Sequence, residues 1–303
     1  MTSVHVYNPT KVVFVCGAEY DVRSIKPTSL RDQFMRFDAE GKLPQRRYIL
    51  AEELNAFFPR GSYQDILTLE TDLAQIYHLI IIFSESYGSV AELGAFSAID
   101  EIAKRTLVFI DDKNYNKDSF ISLGPIRRLE NQYGDTSVCV LNCGQVGIKH
   151  IKSIESLNSS EFLRIVNTAI TQREKTINDR STFNPILSGH IIKLATGILQ
   201  IYGALCIDEL QSIFSRLSIV ISDEKLRNYL LCAEFSGWLL REKRGYRTLY
   251  ISLTSKRAMS YKVKNEYMPH DRDRYLADIR EYWRLRDPDR FAAIQSNMEL
   301  TND

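Results

Sequence analysis

The sequence predicts an α/β protein: a doubly wound, mostly parallel sheet of Rossmann or flavodoxin type, followed by a winged helix. Three observations carry this reading. Short β-branched runs alternate with helical stripes through the first half of the chain. A polar stretch closed by Pro185 then interrupts the pattern. Beyond it, three helical segments precede two short strands around Gly245, the order of a helix-turn-helix variant with a wing. A chain of 303 residues also exceeds one core of average size. The expected divisions are 1–150 for the α/β domain, 151–187 for a helical connector, 188–255 for the winged helix and 256–303 for a charged helical tail.

The elements follow in order. KVVFVCGAE (11–19) is a continuous apolar run, as a strand covered on both faces requires. Ser29 suits the N-cap of a helix reaching about Glu40. RRYILAEEL (46–54) opens as a second strand. Ile66, Leu69, Leu73 and Ile76 form the stripe of a helix over 62–77, with Ser62 as its cap. HLIIIFSES (78–86) is the strongest strand signal, a helix is expected from about Val90 to Arg105, and strands follow at 106–112 and 137–142. In the second half, helices are expected over 190–203, stopping at Gly203, over 207–217, and over 222–239 with Ser222 as cap.

Bulk properties narrow the function classes. Net charge is only +1, so the chain is no basic nucleic-acid coat, yet 241–290 holds 14 Lys/Arg against 8 Asp/Glu. The longest apolar run is strand-sized, so no membrane span is expected. MTSVHVYNPTK at the start lacks the pattern of a secretion signal. Five cysteines without metal spacing read as buried thiols of a reducing compartment, the cytoplasm, with no metal site.

In doubly wound sheets, ligands sit outside the carboxyl ends of the strands, where strand order reverses. That rule singles out the turns after Val15, Phe83 and Ile110. The second is SESYGSVAELGAF (84–96). Gly88 leaves room for a ligand, Ser89 adds a hydroxyl, and the helix start offers free N–H groups suited to phosphate or ribose. Gly94 is expected to thin the helix at a packing surface. Glu92 stands early in the helix, either as an acid complementing the helix dipole or as a working carboxylate. Cys16, Gly17 and Ala18 follow the first strand, as substrate-binding backbone or as a plain turn. Asp111 ends the fourth strand, as a pocket residue or a turn residue.

The string Gly88-Ser89-x-x-Glu92-Leu93-Gly94 resembles the signature of nucleoside 2-deoxyribosyltransferase-like domains, over roughly the first 140 residues. The resemblance implies that Glu92 is catalytic and that Glu70 matches a second pocket acid. Those transferases usually carry an Asp six residues before the Glu, where this chain has Ser86. FVCGAE, ESYGSVAELGAFS and FISLGPIRRL, followed by a winged helix, resemble retron-encoded effector toxins over the whole chain. That likeness implies an anti-phage effector restrained by a retron reverse transcriptase and its multicopy single-stranded DNA (msDNA), with higher-order assembly open. The implied chemistry is cleavage of the N-glycosidic bond of NAD or a related nucleotide, bound as substrate with no resident cofactor. Glu92 would then act as nucleophile or as stabiliser of the oxocarbenium-like sugar. Cationic nicotinamide leaves without a proton donor, which tolerates Ser86 in place of Asp.

The winged helix has its own expected surface. Lys225 and Arg227 on the third helix, with Arg241, Lys243, Arg244 and Arg247 on the hairpin, suit phosphate contacts. The same residues would suit a protein partner. A nucleotide-sensing winged-helix DNA-binding regulator without turnover is the alternative reading.

Overall fold

The structure, a computed structural model, describes residues 3–21, 23–262 and 272–299. Residues 263–271 and 300–303 of the expected charged tail lie outside the described residues. In chain order the strands are β1 (Ser3–Val6), β2 (Val12–Cys16), β3 (Arg47–Leu50), β4 (Leu79–Phe83), β5 (Thr106–Asp111), β6 (Val138–Leu141), β7 (Ser181–Thr182), β8 (Ala204–Leu205), β9 (Leu239–Arg244), β10 (Arg247–Ser252) and β11 (Met259–Lys262). The chain divides into two compact units. One holds 11–53 and 77–178; the other holds 1–10, 54–76 and 179–303.

The first unit is built on a five-stranded sheet of order β3-β2-β4-β5-β6, with every pairing parallel. Counted within this sheet the order is 2-1-3-4-5, that of the flavodoxin-like doubly wound fold, whose switch point lies between its first and third strands. Here those strands are β2 and β4, with Cys16 opposite Ile82. Every residue of β2, β4 and β5 is buried, which explains why their sequences are continuous apolar runs instead of alternating ones. Phe83 and Phe109 stack at 4.9 Å between centroids inside the core.

The segment expected as a connector contributes helix Ser159–Thr176 to this unit. Phe162 packs near Phe37 and Phe83. Arg173, 1% exposed, donates to the carbonyls of Lys104 and Tyr133 at 2.9 and 3.0 Å. Arg46 forks onto Glu174 at 3.2 and 3.1 Å, with His78 Nε2 3.4 Å from the same carboxylate. Helix Leu30–Ala39 starts where expected, with Ser29 Oγ accepting from Asp32 N at 2.9 Å.

The expected helix over 90–105 differs in two ways. It begins at Tyr87, because Ser86 caps it, and it breaks at Ala98–Ile99 into Tyr87–Ser97 and Asp100–Ala103.

In the second unit, helix Ile66–Ala74 is capped by Asp65, which accepts from Thr68 N at 2.7 Å, and not by Ser62. The Ser62 N–H instead donates to Asn228 Oδ1 at 2.8 Å. Helices Ser188–Tyr202, Ile207–Arg216 and Asp223–Phe235 appear near their expected places, the last capped by Ser222. Strands β8, β10 and β9 form one antiparallel sheet, and β9 and β10 turn at Gly245. Gly203 ends its helix with φ +78 and ψ −56, so it has positive φ but lies outside the left-handed helical region. A Cβ at Gly203 would lie 2.7 Å from Ile294 Cδ1.

Strand β1 was not legible as a strand; it pairs with β11 and β7 in a separate antiparallel sheet. No helix among the described residues is long and apolar enough to cross a membrane.

Candidate active site

The sheet topology directs attention to the ends of β2 and β4, where the chain leaves adjacent strands in opposite directions. Two sequence elements meet there: Cys16-Gly17-Ala18 after β2, and Ser84 to Glu92 after β4.

Glu85 organises the turn, and sequence reasoning passed it over. It is 4% exposed, and its carboxylate accepts three backbone N–H groups: Ala18 at 3.0 Å, Leu30 at 2.8 Å and Arg31 at 3.1 Å. It thereby satisfies the first two donors of helix Leu30–Ala39, while Ser29 satisfies the next two through its side chain and carbonyl. Burial lifts the Glu85 carboxyl above its ordinary value despite these bonds. The available signal was an acid directly after the most apolar strand, a position exposed only if nothing covers the strand end.

Gly17 is fixed by the same packing. A Cβ there would lie 2.7 Å from Arg31 Cβ and 2.9 Å from Glu85 Oε1, so no larger residue fits without displacement. The Arg31 side chain, 1% exposed, runs to Glu52 and forks onto its carboxylate at 2.7 and 2.5 Å. Burial favours the neutral form of Glu52, but the Arg31 hydrogen bonds hold its carboxyl below the ordinary value. Arg31 Nε is buried without a hydrogen-bond partner among the described residues.

Glu92 is half-buried on helix Tyr87–Ser97. Burial raises its carboxyl above the ordinary value, while the Cys16 thiol hydrogen-bonds to it and Arg31 attracts its charge. Cys16 itself is fully buried. Two sequence-derived residues, Cys16 and Glu92, are thus joined directly, with Arg31 and Glu52 as further charges felt at the site.

Ser86, Ser89 and Asp111 each hold backbone groups of the neighbouring turns. Ser86 Oγ accepts from Ser89 N at 3.0 Å and donates to the Gly17 carbonyl at 3.1 Å, tying the two strand ends together. Ser89, 1% exposed, closes the reciprocal bond by accepting from Ser86 N at 3.1 Å. Gly88 is exposed, and a Cβ there would meet nothing nearer than Ser86 Oγ at 3.8 Å. Gly94 has open space where a side chain would project, so it does not thin the helix against a neighbour. Asp111 is fully buried and accepts from Asn114 N at 2.6 Å and Ile151 N at 2.8 Å. Glu70 is half-buried on helix Ile66–Ala74, in the other unit.

On the expected nucleic-acid surface, Arg227 and Lys243 are exposed. Lys225 Nζ lies over the Tyr229 ring at 5.7 Å. Arg247 forks onto Asp287 at 2.8 and 3.0 Å, Arg244 pairs with Glu242 at 2.6 Å, and Arg241 approaches Glu234 at 3.9 Å.

Parallel strands in this order, with carboxylates gathered at the switch point, define a Rossmann-like α/β protein joined to a second, mixed unit. A family model described as the STM3845 retron effector protein matches residues 27–241, and the chain belongs to this family. It is similar to the Escherichia coli protein named "Retron Ec73 putative ribosyltransferase/DNA-binding protein", 35% identical over 130 residues, covering 41% of this chain and 40% of that protein. It is also similar to the E. coli "Retron Ec86 putative ribosyltransferase/DNA-binding protein", 31% identical over 172 residues, covering 54% of this chain and 50% of that protein. The matched regions thus span half or less of the curated relatives' length.

Proposed function

We propose that the α/β unit breaks the N-glycosidic bond of NAD or a related nucleotide, with Glu92 as the working carboxylate. One observation carries the reading: a half-buried acid, hydrogen-bonded by a buried thiol, stands at the switch point of a 2-1-3-4-5 parallel sheet. The relatives' names, which include ribosyltransferase, support glycosyl chemistry.

In the hydrolytic form, the bond between C1′ and the nicotinamide nitrogen breaks and its electron pair leaves with the base. Positive charge develops on C1′ and the ring oxygen, and the Glu92 carboxylate stabilises or captures that centre. Water then supplies oxygen to C1′ and releases a proton, giving ADP-ribose and nicotinamide. Placed electrostatic stabilisation of this kind typically supplies about 3–4 kcal/mol per group. The Arg31–Glu52 pair and Cys16 position and tune the carboxylate. Burial makes Glu92 harder to ionise, while the thiol and the guanidinium oppose that effect. The decisive experiment compares metabolites in cells producing wild type or Glu92→Gln. Nicotinamide or ADP-ribose should accumulate only with wild type, and equal accumulation in both would end the proposal. Glu70→Gln, assayed in parallel, reports whether that acid also contributes.

The second unit, in this reading, is a winged helix. Its order of helix Ser188–Tyr202, β8, helices Ile207–Arg216 and Asp223–Phe235, β9 and β10 matches that motif. Arg227 and Lys243, exposed and in no ion pair among the described residues, are cations it offers to phosphate. Family membership supports work within a retron system, and the partners we propose are the retron reverse transcriptase and its msDNA, which restrain the glycosidase until infection.

A further inference from the structure

We propose that the second unit carries a separate pocket for a phosphate group. A cavity of about 280 Å³ opens between the end of helix Ser188–Tyr202, the segment after β10 and helix Arg272–Arg286. Its polar lining comes from Gln200, Tyr202, Ser252, Thr254, Ser255, Arg272 and Arg280, and among the described residues no carboxylate lines it. A second cavity of the same unit, about 380 Å³, shows the contrast: Asp65, Asp72 and Glu224 line it beside Lys225.

Three features point to an anionic occupant. First, Ser252 Oγ is buried and has no hydrogen-bond partner among the described residues, so its proton lacks a receiver. Second, nearby arginines of the unit are paired, Arg247 with Asp287 and Arg290 with Glu209, whereas Arg272 and Arg280 enter no ion pair among the described residues. Burial and the neighbouring Arg257 disfavour the charge on Arg272, and Asp273 and Tyr261 offset them only in part.

Third, the walls are already held in place. The Gln200 amide donates to Thr254 Oγ1 at 2.8 Å and the Lys256 carbonyl at 2.6 Å, and its Oε1 accepts from Ala258 N at 2.9 Å. Because Thr254 Oγ1 accepts there, its own proton is available to a ligand. Trp283 Nε1 donates to the Tyr202 carbonyl at 2.8 Å, tying helix Arg272–Arg286 to the end of helix Ser188–Tyr202.

Two guanidinium groups and hydroxyl donors suit phosphate oxygens, which accept several charge-assisted bonds at once. The volume lies near the lower end of small-ligand pockets, roughly 300–1,000 Å³. Leu276 and Ile294 add apolar lining, which suits an organic group attached to the phosphate, so the occupant we propose is a phosphate ester. A free mononucleotide and the terminal phosphate of a nucleic acid both present that group.

Titration calorimetry on the full chain separates these cases, using AMP, adenosine, inorganic phosphate, and a short single-stranded DNA with or without a 5′-phosphate. We expect binding of phosphorylated probes and none of adenosine. The double variant Arg272→Gln/Arg280→Gln should weaken that binding about tenfold or more, and Arg280→Gln alone, at an exposed position, should weaken it measurably without affecting folding. Glu92→Gln should leave it unchanged, which distinguishes this pocket from the cluster after β4. Stronger binding of AMP assigns a free nucleotide, and dependence on the 5′-phosphate of the DNA assigns a nucleic-acid end. Silence of every phosphorylated probe at millimolar concentration, or equal binding by the double variant, overturns the proposal.

Discussion

Glu85→Ala should be the most destabilising single substitution around the candidate site, although Glu85 faces no solvent and lies outside the signature. The carboxylate accepts from Ala18, Leu30 and Arg31 at 3.0, 2.8 and 3.1 Å, and it is 4% exposed. Three hydrogen bonds to a charged acceptor, at about 1.5–3 kcal/mol each, set an upper figure of roughly 5–9 kcal/mol. Relief of a buried charge and water entering the hole reduce this to about 3–5 kcal/mol. That is a large part of a typical total stability of about 5–15 kcal/mol.

Glu85→Gln keeps one oxygen for Ala18 and Arg31 but turns an N–H₂ group toward Leu30 N, so its loss should be smaller, about 2 kcal/mol. Native-state hydrogen exchange read at Ala18, Leu30 and Arg31 checks both figures where the bonds are, with urea unfolding as the global measure. An Ala variant within about 1 kcal/mol of wild type, with those three amides still protected, would refute the reasoning.

Three further outcomes follow from the same geometry. Burial holds the Glu92 carboxyl above its ordinary value, so its ionised form opposes folding at neutral pH; Glu92→Gln should therefore stabilise the protein by about 0.5–2 kcal/mol, a rise of a few degrees in Tm. That gain should vanish below the ordinary carboxyl value, where the group is neutral in both states, and a loss of stability at pH 7 would contradict it. Glu174 is held down to about 2 by His78 and Arg46, so the stability it contributes is present above its ordinary value of 4.5 and disappears as pH falls through that window. Urea midpoints of Glu174→Gln and wild type should thus differ at pH 7 and converge near pH 2. Finally, Arg227→Ala and Lys243→Ala should each flatten the salt dependence of nucleic-acid binding by about one charge, whereas Arg247→Ala should chiefly reduce stability through its Asp287 pair.

What could be read from the sequence was whatever periodicity or local capping encodes. β2, β4 and β5 announce themselves because burial on both faces demands unbroken apolar runs, and Ser29 and Ser222 cap where a hydroxyl precedes a helical stripe. The stripe of Ile66, Leu69 and Leu73 says that the helix buries a face but is silent about which unit receives it, and 54–76 groups with the C-terminal half. Strand β1 has four residues and two partners distant in sequence, so no local pattern could announce it. The start of helix Tyr87–Ser97 was misplaced because Ser86 and Ser89 form a reciprocal cap ahead of Val90, where the apolar pattern begins.

The same distinction explains the site. Glu92 was singled out through the resemblance of one helix's signature, whereas the Arg31–Glu52 pair and the role of Glu85 depend on three loops that converge only after β2, β3 and β4 align. A motif thus locates a carboxylate but does not set its proton affinity. Arg31, buried, touching Glu85 through its backbone and Glu52 through its side chain, carries that information. Its replacement by Gln, which removes the charge that attracts Glu92, should lift the Glu92 carboxyl further. The pH profile of base release should then move toward higher pH, and an unmoved profile would show that the guanidinium does not act on Glu92.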